Sequence, residues 1–217
     1  MIEMPSRMER LARDKVGRPV PWFVWWDPES GEPDFRVIGP GKMEEAYHHS
    51  KCWVCGEGLG VYRVFVIGPM CAVNRVSGEL PSHRECARYS AKACPFLTTP
   101  RMHRNEKGLP AEYGELGGVP VKRNPGVTLL WITRSYWPIR DPVGKYVFKL
   151  GPPEGLEFYR EGRAASRREV MESIDSGMPI LREMAERDGG EAVGDLEQSY
   201  WLAVGLVQAA IPEGVGG

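Results

Sequence analysis

Cys52-Trp53-Val54-Cys55-Gly56, answered further along by Ser82-His83-Arg84-Glu85-Cys86, is the pair of stretches that decides how this chain reads. Two thiolates spaced as Cys-x-x-Cys reach one cation only if the backbone turns sharply between them, and Gly56 after the second permits that turn. Alone the pair is ambiguous, because the same spacing occurs in redox motifs. The second stretch removes the ambiguity. Ser82 followed by Glu85 has the form of a capping box, which predicts Ser82 as N-cap and His83 as the first helical residue. Positions i and i+3 share a helix face, so His83 and Cys86 project together from the first turn. The positive end of the helix also favours a thiolate at Cys86. Cys52, Cys55, His83 and Cys86 thus make a complete nitrogen and sulfur set for one Zn2+. Four protein ligands close a tetrahedral shell, which is the signature of a structural rather than a catalytic ion.

Between the two stretches, Val61–Ile67 and Cys71–Val76 read as strands turned at Gly68-Pro69, a β-hairpin. Residues 82–93 read as a helix stopped by Cys94-Pro95. Knuckle, hairpin and helix in that order resemble a treble-clef finger. Upstream, residues 22–26 and Phe35–Ile38 read as a hairpin with a long loop, followed by a short helix from Lys42 to His49. Downstream, Pro95 to Gly126 is loop-like, and three strands follow at Val127–Arg134, Lys145–Leu150 and Leu156–Arg160. The last third is helical. Ser166 and Glu169 form a second capping box, opening a helix that should end near Ser176, with Pro179 in the first turn of the next. Gly189-Gly190 ends that one, and Leu196, Tyr200, Ala203, Val204 and Val207 give the final helix an apolar stripe. The expected fold class is α+β: a treble-clef-like zinc finger joined to a small antiparallel sheet and a C-terminal helical segment. The expected divisions are a polar N-terminal segment (1–20, a polar helix or a frayed tail), a zinc-binding α+β region (21–105), and strands followed by helices (106–217). The last two are compatible with one continuous domain.

The chain of 217 residues is 42% hydrophobic and 26% charged, ordinary for a globular protein with a sizeable core. No apolar run is long enough to span a membrane, so no membrane partner is expected. The first twenty residues carry five basic and three acidic side chains and no apolar stretch, which excludes a secretory signal as read from sequence. Five cysteines in such a chain argue for metal ligation in a reducing cytoplasm rather than a disulfide framework. A net charge of −1 conceals an asymmetry, because residues 82–149 carry a net +7 and residues 150–217 a net −7. Sign segregation of this kind predicts that the two segments partly face one another, the acidic helices after Ser166 lying over or beside the basic strands and finger helix and masking that surface from phosphate.

Other potential ligands fit the pattern less well. Cys71 falls in a strand pattern as a small core residue, and Cys94 lies two turns beyond Cys86. His48 and His49 sit at a helix end, where they could supply a ligand or a supporting bond, and His103 lies in a basic loop. The chain carries no Walker A, G-x-S-x-G, H-E-x-x-H or dinucleotide fingerprint. An HNH nuclease needs a histidine on the hairpin, and residues 61–76 contain none. A zinc deaminase needs His-x-Glu and a proline before its cysteines, and neither stands near Cys52. The reading is therefore not an enzyme.

Gly68-Pro69-Met70-Cys71-Ala72-Val73-Asn74, the run from His83-Arg84-Glu85-Cys86-Ala87 to Cys94-Pro95-Phe96-Leu97, and Pro138-Ile139-Arg140-Asp141-Pro142-Val143-Gly144-Lys145-Tyr146 resemble uncharacterised zinc-binding proteins of actinobacteria and their phages. The resemblance spans most of residues 45–185 and implies a bacterial or phage origin without implying an activity.

Two function classes follow. The first is a protein-interaction or assembly protein braced by zinc, with an unidentified protein partner. Seven tryptophans favour it, since tryptophan is enriched at interface hot spots. The alternative is a nucleic-acid-binding finger. Arg84, Arg88 and Lys92 form a basic stripe on the helix, and Arg101, Arg104 and Lys107 extend it into the loop beyond.

Overall fold

The computed structural model describes residues 2–100, 102, 103, 105, 107–109, 117, 124 and 126–212. In chain order its elements are β1 (Val24–Trp26), β2 (Pro33–Ile38), α1 (Lys42–His48), β3 (Arg63–Ile67), α2 (Cys71–Asn74), β4 (Val76–Ser77), α3 (Arg84–Ala93) and α4 (Pro95–Thr98). There follow β5 (Thr128–Thr133), β6 (Tyr136–Arg140), β7 (Tyr146–Leu150), β8 (Gly155–Arg160), β9 (Arg163–Ala164), α5 (Arg167–Asp188) and α6 (Gly190–Ala210). The class is α+β, with small antiparallel sheets and a C-terminal helical pair.

The organising element is β5, whose six residues are all buried. It lies inside the sheet β3-β5-β8-β9, paired antiparallel to β3 (Phe65 opposite Trp131) and to β8 (Leu129 opposite Phe158). Side chains alternate along a strand, so such a run must be covered on both faces. On one face Val64, Leu130 and Ile132 pack against Ala87 and Ala91 of α3. On the other, Phe65, Leu129 and Trp131 pack with Val170 and Ile174 of α5 and Ala203 and Val207 of α6. The Trp131 indole N–H is satisfied by the Gly151 carbonyl at 3.0 Å. A second sheet, β4-β7-β6, contributes Phe148 and Leu150 to the same core, and β1 and β2 form the expected hairpin.

This layering meets the expected masking only in part: α5 and α6 lie against the strands β5 and β7 but not over the finger helix. The helix α3 and the acidic pair α5 and α6 lie on opposite faces of one sheet, so the acidic helices do not cover the basic one. Their acids pair locally instead, Glu169 with Arg163, Glu172 with Arg168 and Glu183 with Arg187. Ion pairs between the +7 and −7 segments run through Glu154 and Glu157 at β8.

Three local expectations also fail. Residues 61–76 are not a hairpin: β3 pairs with β5, while Cys71–Asn74 is a helical turn ended by Arg75 at φ 54°. Pro69 permits that turn, and Ala72 and Val73 bury themselves by it. The helix begun by the Ser166 capping box does not stop at Ser176, and α5 runs through Pro179 to Asp188. Pro179 removes one backbone hydrogen bond but lies on the exposed side, while Val170, Ile174, Gly177, Leu181 and Ala185 keep one continuous buried face. Gly177 lets Met70 pack close on that face, because a Cβ there would stand 2.6 Å from Met70 Sδ and the methionine would have to shift. The segment 1–20 is neither a polar helix nor a frayed tail. It forms a short 3-10 turn, Ser6–Met8, and buries Met8 and Val20. No helix among the described residues is long and apolar enough to cross a membrane.

Candidate metal centre

The first half of the site is a tight loop closed by its own backbone. The Cys52 amide donates to the Glu57 carbonyl at 2.7 Å, and the Gly56 amide donates to the Cys52 carbonyl at 2.8 Å. Gly56 has φ +76°, and a Cβ there would lie 2.5 Å from the Trp22 ring, so both backbone and space demand glycine. Trp22 is itself held by its amide bond to the Val54 carbonyl at 2.7 Å.

The second half begins with Ser82, which exchanges both backbone hydrogen bonds with Val64, at 3.1 and 2.8 Å. That bridge keeps Ser82 extended and delays the helix. The N-cap is therefore His83 (φ −64°, ψ 152°), not Ser82, and no side chain caps the helix. Glu85 does not reach back as a capping box would; it accepts from Arg7 at 2.7 Å. His83 and Cys86 still share the first turn, and the knuckle is tied to them by the Trp53 amide bond to the Pro81 carbonyl at 3.0 Å.

Together the two halves bring one donor atom each from Cys52, Cys55, His83 and Cys86 within 4.8 Å of one another. All three cysteines are buried, and His83 nearly so. The His83 ring is oriented by its two nitrogens. Nε2 lies 3.0 Å from the Gly58 carbonyl oxygen, which can only accept, so Nε2 carries the proton. Nδ1 then offers its lone pair, 3.4 Å from Cys55 Sγ. The amides of Cys55 and His83 both donate to Cys52 Sγ at 3.4 Å, which favours its thiolate.

Protonation of the three thiols is interdependent. Hydrogen bonds from Cys55, then Cys86, hold Cys52 far below the ordinary thiol value, while Cys52 pushes Cys55 up to about 11 and drives Cys86 higher still. The Cys52 thiolate likewise raises His83. A cation bound among these atoms would take the place of the shared protons and let every thiol ionise. The donor set therefore fits a metal ion.

The N-terminal segment, which carried no signal of a role, closes the site. Met8 packs with Cys52, Val54, Cys55 and Cys86, flanked by Met4, Leu11, Leu59 and Tyr89. Arg7 donates to Glu57 at 2.8 Å and to Glu85 at 2.7 Å, and Arg10 pairs with Glu57 at 2.7 Å. One strap thus joins the knuckle loop to the helix bearing Cys86.

The remaining candidates lie elsewhere. Cys71 starts α2 in the main core, where burial pushes its thiol up to about 11, and burial also raises Cys94 at the end of α3. Neither joins the cluster; His48, His49 and His103 are exposed and also stand apart from it. All five cysteines are free. The basic stripe on α3 is largely occupied: Glu157 of β8 accepts from Arg84 at 2.6 Å and from Arg88 at 2.7 and 2.8 Å. Lys92 lies over the Tyr159 ring at 5.6 Å. Lys107 is exposed, while Arg101 and Arg104 fall outside the described residues. The chain matches no known protein family, no curated protein and no solved structure.

Proposed function

We propose that this chain is a protein-interaction or assembly protein of bacterial or phage origin, working in the cytoplasm, whose single zinc ion is structural. Zinc is favoured over other cations because three thiolates and one imidazole are a soft donor set of tetrahedral size. The knuckle and the helix bearing His83 and Cys86 support the treble-clef reading, although the hairpin expected over Val61–Ile67 and Cys71–Val76 is replaced by β3 pairing with β5 and a single bridge from Val64 to Ser82. A buried site with four protein ligands leaves no open position for substrate, which supports bracing over catalysis.

The observation that carries the choice of partner class is the position of Glu157. Its side chain, 15% exposed, accepts from both Arg84 and Arg88 and offsets part of the positive charge that an incoming phosphate would meet. Large apolar side chains are meanwhile exposed on α6 and on the β6–β7 hairpin. The test is titration of mixed DNA and of RNA at about 50 and 200 mM salt, with affinity for the full chain no tighter than about 0.1 mM expected at the higher salt. Submicromolar binding that weakens steeply with salt would overturn the reading.

One observation favours the nucleic-acid alternative, and it is not on α3. Exposed Trp137 stands opposite Lys149 across the β6–β7 pair, and Arg140 stacks 4.3 Å from the centre of the Tyr146 ring. Aromatic faces interleaved with cations suit unpaired bases and their phosphates. If nucleic acid does bind, Trp137→Ala should weaken it more than Arg84→Ala.

A further inference from the structure

We infer that the outer face of α6 is the docking surface for a second copy of this chain, two α6 helices packing antiparallel about a two-fold axis. The inference rests on the protein-interaction reading and names its partner.

Helix α6 is apolar on both sides over its second half. Ala203, Val204 and Val207 are buried in the core, yet Trp201 is 68% and Leu202 52% exposed. From Gln198 to Pro212 the sequence carries no charged side chain at all. A helix packed on one side only should be polar on the other. Here the outer face presents Gln198, Trp201, Leu202, Gly205, Gln208 and Ala209, all exposed, at three- and four-residue spacing.

The order of these residues is self-complementary when reversed. With the two-fold axis level with Ala203, Trp201 faces the second copy's Gly205, and Gln198 faces its Gln208. Gly205 leaves open space on this face for the second copy's indole, since a Cβ added there meets nothing within 4 Å. The two glutamines supply reciprocal amide donors and acceptors. On the same arrangement Leu202 comes level with the second copy's Val204, and Trp201, level with Gly205, stands next to its Leu206. There an open groove of about 350 Å³ is lined by Leu206, Ala209 and Ala210 on one side and by Pro153, Glu154 and Leu156 at the start of β8 on the other. An isologous contact requires this kind of self-matching patch.

Charge points the same way. The first half of α6 exposes Glu191, Asp195 and Glu197. Beside its last turn lies the start of α5, because Arg167 donates to the Ile211 carbonyl at 2.9 Å and to the Gln208 carbonyl at 3.2 Å. The next residue, Arg168, has a side chain 86% exposed. Antiparallel packing brings the acidic end of one α6 level with the second copy's Arg168, whereas parallel packing would set acid against acid.

The test is sedimentation velocity of the full chain from about 1 to 100 μM, a range that covers ordinary standard-size interfaces. Full-length protein should sediment at about twice the 24.3 kDa chain mass at the upper end. Trp201→Glu and, separately, Gly205→Leu should each weaken dimerisation at least about 100-fold while keeping metal content and helical signal, because both residues lie at the centre of the contact. A wild-type chain that stays monomeric at 100 μM overturns the inference, as does a Gly205→Leu variant that dimerises as tightly as wild type. Monomeric protein that also binds no nucleic acid refutes self-docking while leaving the interaction reading standing. Monomeric protein that binds nucleic acid tightly refutes both.

Discussion

The Nε2–H of His83 donates to the Gly58 carbonyl oxygen at 3.0 Å, and this one bond selects the tautomer that turns Nδ1 toward Cys55 Sγ. The knuckle loop therefore both supplies two sulfur donors and orients the nitrogen donor, so this bond couples the two halves of the site. Replacing His83 by Ala should remove the nitrogen ligand and the cross-link together. Metal affinity should fall at least about 10-fold, the size of effect expected when only a supporting bond is lost. Competition against a chromophoric chelator measures it.

Cys86→Ser and Cys71→Ser separate ligand from core cysteine. Cys86 lies in the cluster, so its loss should abolish stable metal binding and lower the thermal midpoint sharply, because metal-binding free energy is folding free energy. Cys71 touches only the main core, and its replacement should keep full metal content and cost about 1 kcal/mol or less. Metal analysis and melting of both variants side by side decide it; equal metal loss would put Cys71 among the ligands.

Gly56→Ala probes the turn. The residue sits at φ +76°, and the new methyl would meet the Trp22 ring at 2.5 Å, so strain and clash add. The variant should lose about 1–3 kcal/mol, measured by urea unfolding at saturating metal. Gly58→Ala, where nothing stands within 4 Å of the added Cβ, should cost far less.

How much of this was legible in sequence differs between the site and its setting. The clustering of the four donors was, because Cys-x-x-Cys and His-x-x-Cys are spacings that local geometry alone can explain. The Ser166 capping box was legible for the same reason, and the structure forms both of its reciprocal bonds. Ser82 has the same local pattern and does not cap, because its long-range bridge to Val64 competes for the backbone and wins. The 61–76 hairpin failed similarly: β3 found its partner in β5, some sixty residues away, and left Cys71–Asn74 free to coil. Pro179 looked like a helix break because sequence does not reveal that a buried face continues past it. Arg7 and Met8 could not be assigned, since nothing local distinguishes them from a solvated segment.

Glu169 gives a pH prediction. Hydrogen bonds from Arg163 first, then from the Ser166 backbone and hydroxyl, hold its carboxyl down at about 2 against an ordinary 4.5. A carboxylate with a lowered folded-state pKa contributes stability that is whole above 4.5 and is lost as pH falls toward 2. The melting temperature of Glu169→Gln should lie below wild type at pH 6, and the gap should close between pH 4.5 and about 2. Taking the difference between the two proteins removes the acid sensitivity of the metal site, which both share.

On the proposed reading, Cys52, Cys55, His83 and Cys86 hold one zinc ion as its complete shell. X-ray absorption at the zinc edge, on protein expressed in zinc-replete cells and purified without chelator, tests it most directly. The account predicts one zinc per chain with three sulfur neighbours at about 2.3 Å and one nitrogen at about 2.0–2.1 Å. Protein that carries no zinc, or a shell with four sulfurs or with an oxygen in place of the imidazole, would contradict it.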